Sequence, residues 1–187
     1  MFEFLCHTEN GVPHTVSGAR SEGGNLLPFD CLQIWHKIRT LHAYPPSPSH
    51  PHGLYDTVIV NMEPQSDWPR CGLNGHSVVQ LHMIFRLLQS EYLVAYVQHF
   101  DVVRQPRSVN HDYSATGMHM LRHVVRNDGS RIGGVIPIMQ IQSPVHLIPD
   151  FSKGAHPHLT SANSYELSTN FWLNKYWSKE LYFALSS

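Results

Sequence analysis

Two pairs of histidines, His50-Pro51-His52 and His156-Pro157-His158, carry the alternate spacing of metal ligands in a chain that holds fifteen histidines among 187 residues. Proline between the two imidazoles favours an extended backbone, and no cysteine or acid stands at ligand spacing beside either pair. The pattern therefore implies adventitious divalent-metal binding and assigns no metal site. His119 and His123 are neighbours on a helix but about 13 Å apart on a strand, and the surrounding GMHMLRHVVR reads as a strand. Asp56, Asp67, Asp101, Asp112, Asp128 and Asp150 are dispersed, one per element. Dispersed acids can converge around metal ions, whereas Asp beside a strand is commonly a turn former. One enzymatic alternative follows, a metal-dependent hydrolase or nuclease using His76, Asp101 and His123. There is no G-x-S-x-G elbow, none of Cys6, Cys31 and Cys71 sits in a catalytic-cysteine context, and Ile132-Gly133-Gly134 reads as a turn, not a phosphate cradle. No catalytic residue, cofactor, metal or small-molecule substrate is assigned.

The basic residues offer a different chemistry. Arg104, Arg107, Arg122, Arg126 and Arg131 fall in one third of the chain, with Tyr113 among them. On a continuous strand Arg122 and Arg126 would share a face. Thirteen basic residues meet fourteen acidic ones at a pI near 6.9, so a weak auxiliary contact to nucleic acid fits better than a self-sufficient binding domain. The candidate partner surface is Arg104, Arg107, Tyr113, Arg122 and Arg126 with the histidine-bearing loops. Protonating all fifteen histidines would add fifteen charges to a formal net charge of −1, which predicts stronger adhesion to polyanions below neutral pH.

The elements that must position these residues are mostly strands. Apolar residues make up 42% of the chain and charged ones only 14%, against roughly 25% charged in ordinary soluble domains. Residues 1–27 read as a flexible leader and 28–187 as one domain. LPFDCLQIWHKIRTLHAY places Leu32, Trp35, Ile38 and Leu41 near helical spacing after a candidate cap, Asp30. A short helix is expected there, with a strand as the alternative. PPSPSHPHG (45–53) predicts an exposed extended loop. Between Gly53 and Phe151, runs rich in Val, Ile, Tyr, Phe and Leu alternate with turn residues.

In the run after Ser77, Val79, Leu81, Met83, Phe85 and Leu87 share one face and Gln80, His82 and Arg86 the other. The core is expected to include Val79, Leu81, Met83, Phe85 and Val97. The strand around Leu93–Phe100 is apolar on both faces and so central; the short LLQSEY connection predicts an antiparallel hairpin. Residues 104–117 read as a polar loop or hairpin excursion, and Asn127-Asp128-Gly129 as a tight turn. In the tail, Phe171, Trp172, Lys175, Tyr176, Lys179, Leu181 and Tyr182 make a helical pattern. It reads as a helix packed over the core, with an exposed aromatic partner surface as the alternative.

The fold class expected is mainly β: a small distorted barrel of about six antiparallel strands, a helix before it and a C-terminal helix packed on it. No stretch approaches the roughly 20 apolar residues of a membrane span. Three separated cysteines without a C-x-x-C pair, and an opening without signal-peptide pattern, read as reduced thiols in an intracellular protein.

The series LPFDCLQIWHKIR, GLYDTVIVN, DWPRCGLNGHSVVQLHMIFRLL, YLVAYVQHFDVV, GMHMLRHVVR, IGGVIPIMQIQSPVHLIPDF and FWLNKYWSKELYFAL resembles a module of fungal transposon-encoded proteins. The resemblance is to the C-terminal part of Plavaka-type reading frames, relatives of the CACTA group, and runs from about Leu27 to Leu185. It implies a catalytic core of the RNase H-like type lying upstream and an accessory segment here, or a decayed copy, in an intracellular setting that includes the nucleus. It carries over no functional residue. The order of elements is also similar to the bromo-adjacent-homology fold, by analogy of fold alone. The reading that results is a non-catalytic interaction module that contacts protein or chromatin, or assists DNA positioning. The hydrolase or nuclease and a relic without activity stand as alternatives.

Overall fold

The computed structural model describes residues 32–35, 37–38, 41–63, 68–87, 91–103, 116–151 and 154–186. Its centre is an antiparallel hairpin of β6 (His76–Leu87) and β7 (Val94–Val102). Both strands are dense in branched and aromatic residues, which suit a pleated surface buried on both sides. β7 lies between β6 and the strands beyond it, the central position that its two apolar faces predict.

The β6 alternation breaks at His82. Leu81 pairs with Val97 but Met83 with Tyr96, so β6 carries one residue more than β7 at this point. The bulge resets the two-residue period. Ile84 takes the buried position after Leu81, both fully enclosed, and Met83 turns outward at 37% exposed. Met83 is therefore not a core residue; Val79, Leu81, Phe85 and Val97 are.

Each long strand serves two partners. β5 (Thr57–Asn61) pairs with the first half of β6 and β1 (Leu32–Trp35) with the second. β8 (His119–His123) pairs with the end of β7 and β9 (Gly133–Pro137) with its start. β8 and β9 are two parts of one interrupted strand: the chain leaves at Val124, whose N–H donates to the His99 carbonyl (3.0 Å), and rejoins at Ile132, whose carbonyl accepts from the His99 N–H (3.1 Å). The ejected hairpin turns at Asn127-Asp128-Gly129 as its residues predict. Gly129 takes φ +81°, and Asp128 Oδ1 accepts from the Ser130 N–H (2.8 Å) and hydroxyl (2.6 Å). Gly133 and Gly134, expected in a turn, instead open β9. The Tyr96 ring occupies the space a Cβ on Gly133 would need, so glycine here permits close packing within a strand.

The large sheet runs β10-β5-β6-β7-β8-β12-β11, with β10 (Ile141–Val145), β11 (Leu147–Pro149) and β12 (Asn170–Leu173). Its two end strands are consecutive in the chain, separated by His146 alone. A small sheet joins β2 (Lys37–Ile38), β3 (Leu41–Tyr44) and β4 (Leu54–Tyr55). Asp56 anchors it: its Oδ2 accepts from the His42 N–H (2.6 Å) and from His42 Nδ1 (3.0 Å).

The helix expected over Asp30–Tyr44 is thus replaced by three strands. Spacings of three residues do not separate a short helix from short strands, and β1 obtains from the β6 edge a ladder that an isolated helix of this length lacks. The leader 1–27, Asp30 and residues 104–115 lie outside the described residues.

Two apolar cores lie on opposite faces of β5–β6–β7. One gathers Val58, Val60, Val79, Leu81, Ile84 and Val97 with Ala43 and Ile136. The other takes Ile59, Val78, Phe100, Leu121, Val145, Leu147, Phe171 and Leu173, and is closed by Leu181, Ala184 and Leu185. Those last three belong to α2 (Lys179–Leu185), capped by Ser178, whose hydroxyl accepts from the Leu181 N–H (3.1 Å). The C-terminal helix packs on the core as expected, but it begins late. Phe171 and Leu173 alternate as buried residues of β12, and Asn174 caps a 3-10 turn over Lys175–Trp177. The helical pattern from Phe171 onward is corrected accordingly.

Candidate interaction surface

Among the described residues, the arginines singled out by sequence (Arg122, Arg126 and Arg131) do not assemble into a stripe. Arg122 is exposed on β8, opposite Asp101 on one side and Asn170 on the other. Arg126 lies in the ejected hairpin, beyond the end of β8, so the two do not share a strand face. Its Nη1 donates to the Ser130 hydroxyl (3.4 Å) and the Arg131 carbonyl (3.2 Å), holding the turn. Arg104, Arg107 and Tyr113 lie outside the described residues.

His76, Asp101 and His123 do not converge. His123 stands opposite Phe100 with the rings 4.4 Å apart, on the side of Phe171. Asp101, the next residue on β7, pairs with Arg122 on the other face. His76 donates through Nδ1 to the Asn74 carbonyl (2.9 Å) and packs its ring on Trp68. Among the described residues no group of three or more His, Cys, Asp or Glu side chains is placed to hold a metal ion. His156 and His158 close on each other, the His158 N–H donating to His156 Nδ1 (3.2 Å), and His50 Nδ1 pairs with the Ser49 hydroxyl (3.1 Å) in its own turn.

A polar network that sequence reasoning missed fastens α1 (Ser164–Leu167) to the sheet. The Tyr165 carbonyl accepts from Arg131 Nη2 (2.9 Å) and His123 Nε2 (3.1 Å), while Arg131 Nη1 reaches Gln98 Oε1 (3.5 Å). His82 Nε2 donates to Gln80 Oε1 (3.1 Å) under the Tyr55 ring. Burial, reinforced by the Arg131 charge, pushes both His82 and His123 down to about 4, so both are neutral at neutral pH. Above this network a cleft of about 350 Å³ runs between Ser49–Leu54 and Ser161–Glu166, floored by Tyr55, Gln80 and Tyr165. Its floor groups serve the framework: Gln80 is 2% exposed and engaged by His82.

The C-terminal segment presents a different surface. With Leu181, Ala184 and Leu185 directed inward, α2 turns Tyr182 (43%) and Phe183 (70%) to solvent, beside Tyr176 (60%) and Trp177 (56%). Tyr176 and Tyr182 lie 5.7 Å apart, and Tyr182 meets Phe183 at 5.8 Å. Lys175 Nζ stands 5.4 Å from the Tyr176 ring and 5.7 Å from that of Tyr182. The Tyr176 hydroxyl donates to the Thr116 carbonyl (3.2 Å), and Trp177 stacks on His146 at 5.0 Å. His119 is held below the usual histidine range by burial and then by the Lys175 charge. Lys179 is exposed, and Glu180 accepts from Trp68 Nε1 (3.0 Å). The aromatic density of the tail was visible in the sequence; which rings face outward was not.

Residues 38–121, under half of the chain, match the model of a family described as a domain of unknown function, DUF6830. The matched segment contains the β6–β7 hairpin and stops before the C-terminal aromatic surface. No curated protein and no solved structure matches the chain.

Proposed function

We propose that this chain is a non-catalytic interaction module of transposon-encoded type, which contacts its partner through the outer face of the C-terminal segment. The carrying observation is the division of labour within α2: three residues close a core while Tyr182 and Phe183 stay in water beside Tyr176 and Trp177. Large aromatic rings contribute most when desolvated, and a group of them left exposed marks a contact site. The hydrolase or nuclease alternative gains nothing from His123 and Asp101 facing opposite sides of the sheet. The proposal includes a barrel-like closure of the sheet, similar in outline to the bromo-adjacent-homology fold. In its support, β10 and β11 pair with opposite ends of the sheet across one residue, and seven strands contribute to the core that α2 covers.

The test is the double substitution Tyr182→Ser with Phe183→Ser. Rings kept for a partner leave stability within about 1 kcal/mol of the parent, while binding of an apolar fluorescent dye falls. A loss above about 2 kcal/mol would make these rings part of the core and remove the reading. A parent chain that is only marginally stable and binds no dye would favour the relic.

A further inference from the structure

We propose that the aromatic face of the C-terminal segment binds single-stranded nucleic acid, with bases stacked on Tyr176, Tyr182 and Phe183 and phosphates held by Lys175 and Lys179. This rests on the reading of that face as an interaction surface and names its partner.

Three observations select this occupant. First, the rings form one contiguous exposed group, Tyr176 tilted on Tyr182 at 5.7 Å and Tyr182 edge-on to Phe183 at 5.8 Å, and each keeps solvent-exposed surface; every base has a π-face, and unpaired bases can reach such a group. Second, the charge is complementary. Lys175 Nζ stands within 6 Å of two of the rings and Lys179 is exposed at the first position of α2, while the neighbouring acid, Glu180, keeps its charge but directs its carboxylate to Trp68 Nε1. Third, a lysine sits among the rings. The centres of protein–protein contacts are depleted in lysine, whereas a cation beside stacking rings is the arrangement that a phosphate-linked strand requires. Two lysines are too few to track a duplex backbone, and the formal net charge of −1 supplies no general field for one.

The experiment is fluorescence anisotropy of a labelled twelve-residue oligothymidylate with the full chain at pH 7.5, where histidine charge is largely absent. Single-stranded oligouridylate and a duplex of equal length are run alongside. The single strands should bind and the duplex should bind at least tenfold more weakly. Two neutralised phosphates give a slope near −0.7 each, so affinity should fall about sevenfold between 50 and 200 mM salt. The Tyr182→Ser, Phe183→Ser protein should lose at least tenfold in affinity, and Lys175→Gln with Lys179→Gln should flatten the salt dependence, with unfolding midpoints confirming that both variants fold. No binding at 50 mM salt, equal binding of the duplex, or binding indifferent to the ring substitutions would overturn the proposal. If nucleic acid fails while the ring variant keeps its stability and loses dye binding, the interaction surface stands and its partner is a protein.

Discussion

Acidification from pH 7.5 to 5.0 should destabilise this fold through two buried imidazoles. His82 and His123 are held at about 4 in the folded chain, against about 6.5 when unfolded. Between these values the unfolded state binds more protons, so stability is fully present above about pH 6.5 and falls as the pH drops toward 4. At pH 5.0 the unfolded value has been passed by about 1.5 units, which is about 2 kcal/mol for one fully enclosed group. Both rings retain some solvent contact and they share one neighbourhood with Arg131, so the pair should lose about 2–3 kcal/mol together. Against a total of roughly 5–15 kcal/mol for a domain, that is a large fraction.

His99 and His119 are lowered by burial and act in the same direction. Asp128, lowered by its Ser130 hydrogen bonds, remains ionised across this window. The assay is urea unfolding followed by tryptophan fluorescence at several pH values in this range. His123→Phe places an apolar ring between Phe100 and Phe171 and leaves Arg131 to satisfy the Tyr165 carbonyl; it should remove roughly half of the pH dependence. Equal stability at pH 7.5 and 5.0, or a full pH response in His123→Phe, would refute the reasoning.

The bulge at His82 makes a sharp contrast between neighbours: Leu81→Ala should cost about 2–5 kcal/mol and Met83→Ala less than about 1 kcal/mol, measured by chemical denaturation, and equal costs would put Met83 back in the core. Arg131→Met removes the guanidinium donors to Gln98 and the Tyr165 carbonyl, leaving His123 Nε2 as the donor to that carbonyl, and should lower stability by about 1–3 kcal/mol. Faster amide exchange should be confined to residues 161–168 and the ejected hairpin, and protection unchanged there would show that α1 is held by other contacts.

Local chemistry carried much of the fold into the sequence. The apolar runs of β6 and β7 read as strands because branched side chains suit a pleat, and β7, apolar on both faces, announced its central place. Asn127-Asp128-Gly129 specified its turn because Gly129 tolerates positive φ and Asp128 caps the Ser130 amide. That a helix packs at the C-terminal end was legible from the helical spacing of the tail, but its inward residues were not: of the residues in that pattern only Leu181 faces the core from α2, joined there by Ala184 and Leu185.

Tertiary structure decided whatever depended on a distant partner. Met83 lies outside the core because one extra residue opposite β7 shifts the period, and no property of Met83 records that. The segment before the Pro-rich loop became strand because β6 was long enough to offer it an edge. Phe171 left the helical pattern to pair with β8. Arg131, Gln98, His123 and Tyr165 form one network through contacts more than thirty residues apart along the chain. The aromatic count of the tail was written in the sequence. Its division into rings that close a core and rings that meet solvent followed from where β12 docks and which way α2 then turns, because burial belongs to the packed assembly of strands and to no segment alone.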